Sequence, residues 1–210
     1  MLLRRRTTRE DKLRWLRWCF LASGLALLAF VAYLALDSKI VQAYEIWRFE
    51  QAIKSSRPSR ASDEPATHIS QPQTVERVSI ARGEVIGKLA ITRLDVDVVV
   101  MEGVDAKTLR RAVGHIPGTA FPDSSGNVGV AGHRDTFFRE LRNIRQHDEI
   151  TLTTLTDAYR YQVESISVVG ENESDVLKDS GGSTLTLVTC YPFYYVGPAP
   201  KRFIVRARRV

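Results

Sequence analysis

Between residues 19 and 36 this chain carries no charged side chain, and only Ser23 and Gly24 interrupt the apolar run. A helix of that length spans about 27 Å, close to the thickness of a bilayer's hydrocarbon core. Arg4, Arg5, Arg6, Arg9, Lys12, Arg14 and Arg17 precede the run. Trp15 and Trp18 stand at its basic end and Tyr33 near the other, where interfacial aromatics anchor a span. A cleaved signal peptide has a shorter apolar core, about 7–15 residues, followed by a small-x-small cleavage site, and no convincing site follows here. A buried soluble helix would need a polar stripe. The expectation is an uncleaved single-span membrane anchor in contact with membrane lipid. The excess of arginine and lysine before it puts residues 1–18 in the cytoplasm and everything after Asp37 outside.

The anchor also accounts for the charge of the chain. The 210 residues have a net charge of +6, but seven Lys/Arg against two acids fall within residues 1–18. Residues 81–210 hold seventeen basic and sixteen acidic side chains, so no basic face is available to a nucleic acid, and none is expected as a partner. Residues 39–54 read as an amphipathic helix with Val41, Tyr44 and Trp47 along one side. Residues 55–74 turn to Ser, Pro, Gln, Asp and Glu, a composition that supports no core and reads as a tether. The expected organisation is a basic tail (1–18), an anchor (19–36), a helical stalk and flexible linker (37–80), and an extracytoplasmic domain (81–210).

In that last segment the pattern changes to short β-rich runs separated by turn residues. Candidate strands cover 84–91, 96–101, 127–132, 149–155, 159–169, 183–190 and 202–209, with short helices near 105–112 and 136–143. Seven or eight strands with only brief helices predict an all-β domain, a closed or nearly closed barrel.

Cys19 lies in the apolar span, so Cys190 is the only thiol in a domain facing a disulfide-permissive compartment. It is either a small buried hydrophobe or a used nucleophile. Its place as the last residue of a candidate strand, before Tyr191 and Pro192, favours presentation of a reactive group. A nucleophilic cysteine needs a histidine distant in sequence and near in space. His68 falls in the tether and His147 in a charged loop. His115 sits in the turn-like GHIPG and His133 directly after the strand NVGVAG, which makes His133 the stronger candidate. Arg202 opens the strand that follows Cys190. If the two strands are antiparallel neighbours, both side chains reach the same end of the sheet, where an arginine can serve a thiolate or an oxyanion. It cannot orient the imidazole, because guanidinium has no acceptor.

These residues together resemble a known family. TLVTC at 186–190 is similar to the TLxTC signature of the sortases, membrane-bound cysteine transpeptidases of bacteria. AGHRDTFFR at 131–139 resembles the segment that carries their catalytic histidine, and KRFIVRA at 201–207 the strand that opens with their catalytic arginine. The order and spacing agree over roughly residues 80–210, and TCYPFYYVGPAPKRF looks most like the class D group. The resemblance implies an eight-stranded barrel with its site in a groove at the strand ends. It implies that Cys190 attacks the carbonyl after Thr in an LPxTG-type sorting peptide. His133 would protonate the departing amine and later accept a proton from the incoming one, and Arg202 would hold the substrate backbone and the oxyanion. Thr189 would help stabilise the tetrahedral intermediate, and His115 and Ala131 would line the groove. The implied partners are surface proteins with a C-terminal sorting signal and an amine acceptor, either a cell wall precursor or a pilin lysine. No acidic cluster matches the calcium site of some sortases, so no metal and no cofactor is expected. The aromatics of the loop after Cys190 (Tyr191, Phe193, Tyr194, Tyr195) are expected to pack on the barrel rim.

Two other readings remain open at this level. One is a membrane-tethered binding module in which Cys190, His133 and Arg202 are structural. The other is a different cysteine acyltransferase acting on cell wall peptides, such as an L,D-transpeptidase, although no histidine closely precedes Cys190 here.

Overall fold

The computed structural model describes residues 9–56, 80–179 and 181–210. By its contacts the chain divides into two compact units, Met1–Val41 and Gln42–Val210. The first eight residues of the expected basic tail, the linker from residue 57 onward and His68 lie outside the described residues. Helix α1 runs from Arg9 to Ser56 without a break, so the expected span and the amphipathic stretch at 39–54 form one element. Within it, Leu13–Ala32 is long and apolar enough to cross a membrane, overlapping the expected 19–36.

From Val85 onward the chain forms a closed barrel of eight strands: β1 (Val85–Ile91), β2 (Val96–Glu102), β3 (Val113–His115), β4 (Asn127–Gly132), β5 (Glu149–Thr153), β6 (Ala158–Gly170), β7 (Thr184–Tyr191) and β8 (Lys201–Arg209). Their order around the barrel is β1-β2-β3-β4-β7-β8-β6-β5, with β5 returning to β1 through Lys88 to Ala90. Seven of these strands fall where alternation put them. β3 was expected as a turn. Its three residues are too few to carry an alternating signal, and it is strand only because β2 pairs with it in parallel and β4 antiparallel. The helix expected near 105–112 is α2 (Ala106–Arg111), started by Asp105, whose carboxylate accepts from the Lys107 and Thr108 amides. The one expected near 136–143 shortens to a 3-10 turn, Arg139–Asn143.

The interior is filled from every strand. Leu89, Val100, Val130, Leu152, Tyr161, Leu187 and Val205 are all buried in one continuous core. Alternation along β4 and β7 then decides which residues face in. Val128, Val130 and Gly132 point inward with Leu185, Leu187 and Thr189. Asn127, Gly129 and Ala131 point outward with Thr184, Thr186 and Val188. At the end of β4 the ring of Phe138, wholly buried, lies against Gly132: a Cβ there would stand 2.6 Å from its Cδ2. Only glycine lets the segment after the strand fold back this closely.

A second fastening joins the turn between β1 and β2 to the segment before β5. Arg93, in the turn between β1 and β2, donates from Nε to Asp148 Oδ1 at 2.6 Å and from Nη2 to Oδ2, while the Arg145 amide donates to Oδ2 at 2.7 Å. The hydrogen bond from Arg93 holds the Asp148 carboxyl below the usual carboxylate range against the opposing effect of burial. Because the folded-state value is depressed, the stabilisation is fully present above the unfolded value of about 3.9 and is lost as pH falls through the folded one. Arg93 is 41% exposed, so solvent screens part of the pair. Asp148→Asn should cost about 1–2 kcal/mol at pH 7 in urea unfolding of the full chain in detergent micelles, and the gap from wild type should narrow as pH falls below about 4. Gly132→Ala should destabilise by about 1–3 kcal/mol in the same assay, because the buried Phe138 ring has to move.

Candidate active site

Three strands bring the expected residues to one place. β4 and β7 run parallel in unbroken register from Asn127 opposite Thr184 to Gly132 opposite Thr189. His133 follows β4 directly and therefore stands level with Cys190. β7 and β8 run antiparallel, and Cys190 lies directly opposite Arg202. Neighbouring strands are about 4.8 Å apart, and directly paired residues share a face. Cys190 and Arg202 thus share the outward face, the side away from Leu187, and His133 follows on the end of β4, whose last residue Gly132 pairs with Thr189 beside Cys190. Ala131 lies on that face one step below His133 and beside Val188, half-buried. Cys190 is half-buried and reduced, and His133 is exposed.

The arginine is already engaged. Arg202 Nη1 donates to the carbonyls of Ala199 at 2.9 Å and Lys201 at 3.0 Å, and Nη2 stands 3.5 Å from Glu171 Oε2. The guanidinium is held at the edge of the site by its own loop and by the first residue after β6.

Two of the expected contacts with substrate are corrected. Thr189 points inward at 2% exposure, and its hydroxyl donates to the Gly132 carbonyl at 2.7 Å. That proton is committed, so the side chain fastens β7 to the end of β4 instead of facing a reacting carbonyl. His115 is 1% exposed and does not line a groove. Its Nδ1 lies 2.7 Å from Glu102 Oε2, its Nε2 lies 3.0 Å from the Ala120 carbonyl, and its ring stacks on Phe121. With both nitrogens bound and no surface, it belongs to the scaffold. His133, by contrast, is exposed at the end of β4. His147, the charged-loop histidine, lies just before β5 in a left-handed conformation.

The loop of residues 192–200, between Cys190 and Arg202, divides its aromatics. Tyr191 and Phe193 pack with Phe203 on the barrel, as expected of rim residues. Tyr194 and Tyr195 are exposed and are met by Arg142 and Arg134, which sequence reasoning had passed over. The available signal was an aromatic loop rich enough to need cationic partners, beside a segment rich in arginine. Among the described residues no three His, Cys, Asp or Glu side chains converge as metal ligands.

Known proteins resemble this chain. The Sortase domain family model matches residues 89–210. The chain is 28% identical over 195 residues to Sortase D of Bacillus subtilis (strain 168), covering 90% of this chain and 95% of that protein. Among solved structures, a Clostridium perfringens Sortase D5 transpeptidase superposes with a TM-score of 0.57 at 33% identity, covering 62% of this chain and 82% of that one. Sortase A from Corynebacterium diphtheriae gives 0.57 at 31% identity over 62% of each chain. A barrel of this topology, with a cysteine and an arginine paired across β7 and β8 and matched by that family over most of the domain, leaves one conclusion: the chain belongs to the sortase family of cysteine transpeptidases.

Proposed function

We propose that this protein is a membrane-anchored sortase that cleaves an LPxTG-type sorting signal after its threonine and transfers the surface protein to an amine at the cell surface. The sulfur of Cys190 attacks the scissile carbonyl, forming the C–S bond of a thioester as the C–N bond breaks. His133 gives its proton to the departing amine. The acceptor amine then attacks the thioester, the C–S bond breaks, and His133 takes up the proton released. Arg202 leaves the Ala199 and Lys201 carbonyls to hold the substrate backbone and the developing oxyanion, which a guanidinium fork does with two parallel bonds. Water in place of the amine gives hydrolysis as a side reaction. The acceptor is a wall precursor or a pilin-like lysine.

The observation that carries this reading is the register that sets Cys190 opposite Arg202 and level with His133. Supporting it, Ala131 and Val188 lie half-buried below the three, a shallow apolar floor on which an extended peptide can rest. The apolar segment of α1 would anchor the protein in the membrane, with the basic residues before it inside the cell and residues 81–210 outside. Anchored in that way, the site meets sorting signals where they emerge.

Incubating the full chain in detergent with LPxTG-type peptides, with and without a small amine, should give a mass adduct on Cys190 and an amine-dependent product. Cleavage without transfer would leave a thiol hydrolase, and no adduct with any such peptide would overturn the substrate class. Cys190→Ala should abolish both signals with unchanged circular dichroism. Arg202→Lys should lower kcat/KM by about 10²-fold or more, because an ammonium replaces the bidentate fork with one point charge. A near-wild-type rate for that variant would remove Arg202 from the mechanism.

A further inference from the structure

Arg134, the residue after His133, reaches across to the loop that joins Cys190 to Arg202. Its Nη2 donates to the carbonyl of Tyr195 at 2.6 Å and to that of Gly197 at 3.0 Å, and its guanidinium lies 5.9 Å from the centre of the Tyr195 ring. Arg142, from the 3-10 turn after β4, does the same one residue earlier: Nη1 donates to the Tyr194 hydroxyl at 2.8 Å and the cation stands 5.8 Å from that ring. Arg202 then hangs on the far end of the same loop through the Ala199 carbonyl. A continuous series of contacts therefore runs from the backbone beside His133, through Arg134 and the loop, to the guanidinium of Arg202.

Packing stability alone does not account for the arginine at 134. Its Nη1 is buried and has no partner among the described residues, which sets a cost against the bonds that Nη2 makes. The carbonyls it holds belong to exposed residues, Tyr195 and Gly197, which water would satisfy equally well. Replacing it by an apolar side chain removes the orphaned donor and frees two carbonyls that belong to exposed residues. An interaction that adds little to stability yet fixes one loop against one neighbour of His133 is the kind expected where geometry has to be held for chemistry.

Resting on the function proposed above, we propose that Arg134 is a positioning residue of the active site, clamping the 192–200 loop so that Arg202 is presented at the level of His133 and Cys190. It acts through the loop and touches no reacting atom. Arg142 is the lesser clamp, since its partner is a tyrosine hydroxyl on a side chain 78% exposed.

The test uses the full chain in detergent micelles, comparing wild type with Arg134→Met and Arg134→Lys. Arg134→Met should melt within about 2 °C of wild type or above it, while kcat for a fluorogenic LPxTG-type peptide falls about 10- to 100-fold and KM changes less than about threefold. Arg134→Lys should recover part of kcat, since an ammonium can take one carbonyl and lose the other. Amide hydrogen exchange within residues 193–198 should rise about tenfold or more in Arg134→Met with β4, β7 and β8 unchanged. That readout needs no substrate, so it separates the two ideas. If wild type cleaves no such peptide, the proposed substrate class fails, and the exchange result alone decides whether the clamp exists. Unchanged exchange overturns the clamp outright. Exchange that rises while kcat stays within twofold of wild type overturns its role in positioning.

Discussion

The parallel pairing of β4 with β7 is the constraint on which the site depends. Side chains alternate along both strands, so a slip of one residue would turn Cys190 toward the core and leave His133 beside a residue of the wrong face. Two devices prevent it, one at each end. At the start, Asn127 Oδ1 accepts from the hydroxyls of Thr184 at 3.2 Å and Thr186 at 2.8 Å, while its Nδ2 donates to the Val176 carbonyl at 3.2 Å. At the other end Thr189 donates to Gly132. All of these groups on β4 and β7 are buried, so a slipped register would leave several polar atoms without partners and without water. Hydrophobic alternation alone would tolerate a shift of two residues. The buried hydroxyls and the amide do not, because each bond has one geometry.

The same logic explains an acid and a base inside a barrel. Thr119 gives its proton to the Ile116 carbonyl at 2.7 Å, so its oxygen can only accept from His115, and the Ala120 carbonyl can only accept as well. Nε2 of His115 therefore carries a proton. Nδ1 faces Glu102 Oε2 at 2.7 Å, a distance at which one proton must lie between them whichever atom owns it. The pair ties the connection from β3 to β4 onto β2, across strands that share only three backbone partners. β3 is short enough to need it. Gly103 donates its amide to the His115 carbonyl and Ala120 donates to Asn127, so this polar core also leads into the residue that sets the β4 register.

Much of this was legible in the sequence, and the reasons differ by element. Strands β4 and β7 announce themselves because apolar residues alternate with polar ones or glycine along them, and the first half of β6 does so because only one of its faces is buried. The end of a strand is then also the end of a pattern, which is why Cys190, His133 and Arg202 could be read from the sequence as lying at strand ends. β3 and the interior role of His115 were not legible. Both are decided by neighbours distant in sequence, and a histidine between glycine and proline looks the same in a turn as in a sealed cluster. Thr189 was misread for a related reason: adjacency to Cys190 suggested chemistry, but adjacent residues on a strand face opposite ways. The arginine contacts to the loop after Cys190 were invisible because they cross 61 and 63 residues of sequence with no periodicity to betray them.

The resting state of Arg202 follows from the same balance of burial and exposure. Its partner Glu171 has a side chain 52% exposed, and the two groups stand 3.5 Å apart. An ion pair so open to solvent contributes about 0–1 kcal/mol. The carbonyls of Ala199 and Lys201 are neutral acceptors, weaker than any anion for a guanidinium. An arginine held by these alone is kept near its place but not consumed by it. In the function proposed here, a peptide lying over Ala131 and Val188 would exclude water from the groove, and an oxyanion forming there would be a charged acceptor in a drier environment than Glu171. The guanidinium would exchange a screened partner for an unscreened one at the moment charge develops. A tighter resting pair would have to be broken first, and that energy would be added to the barrier.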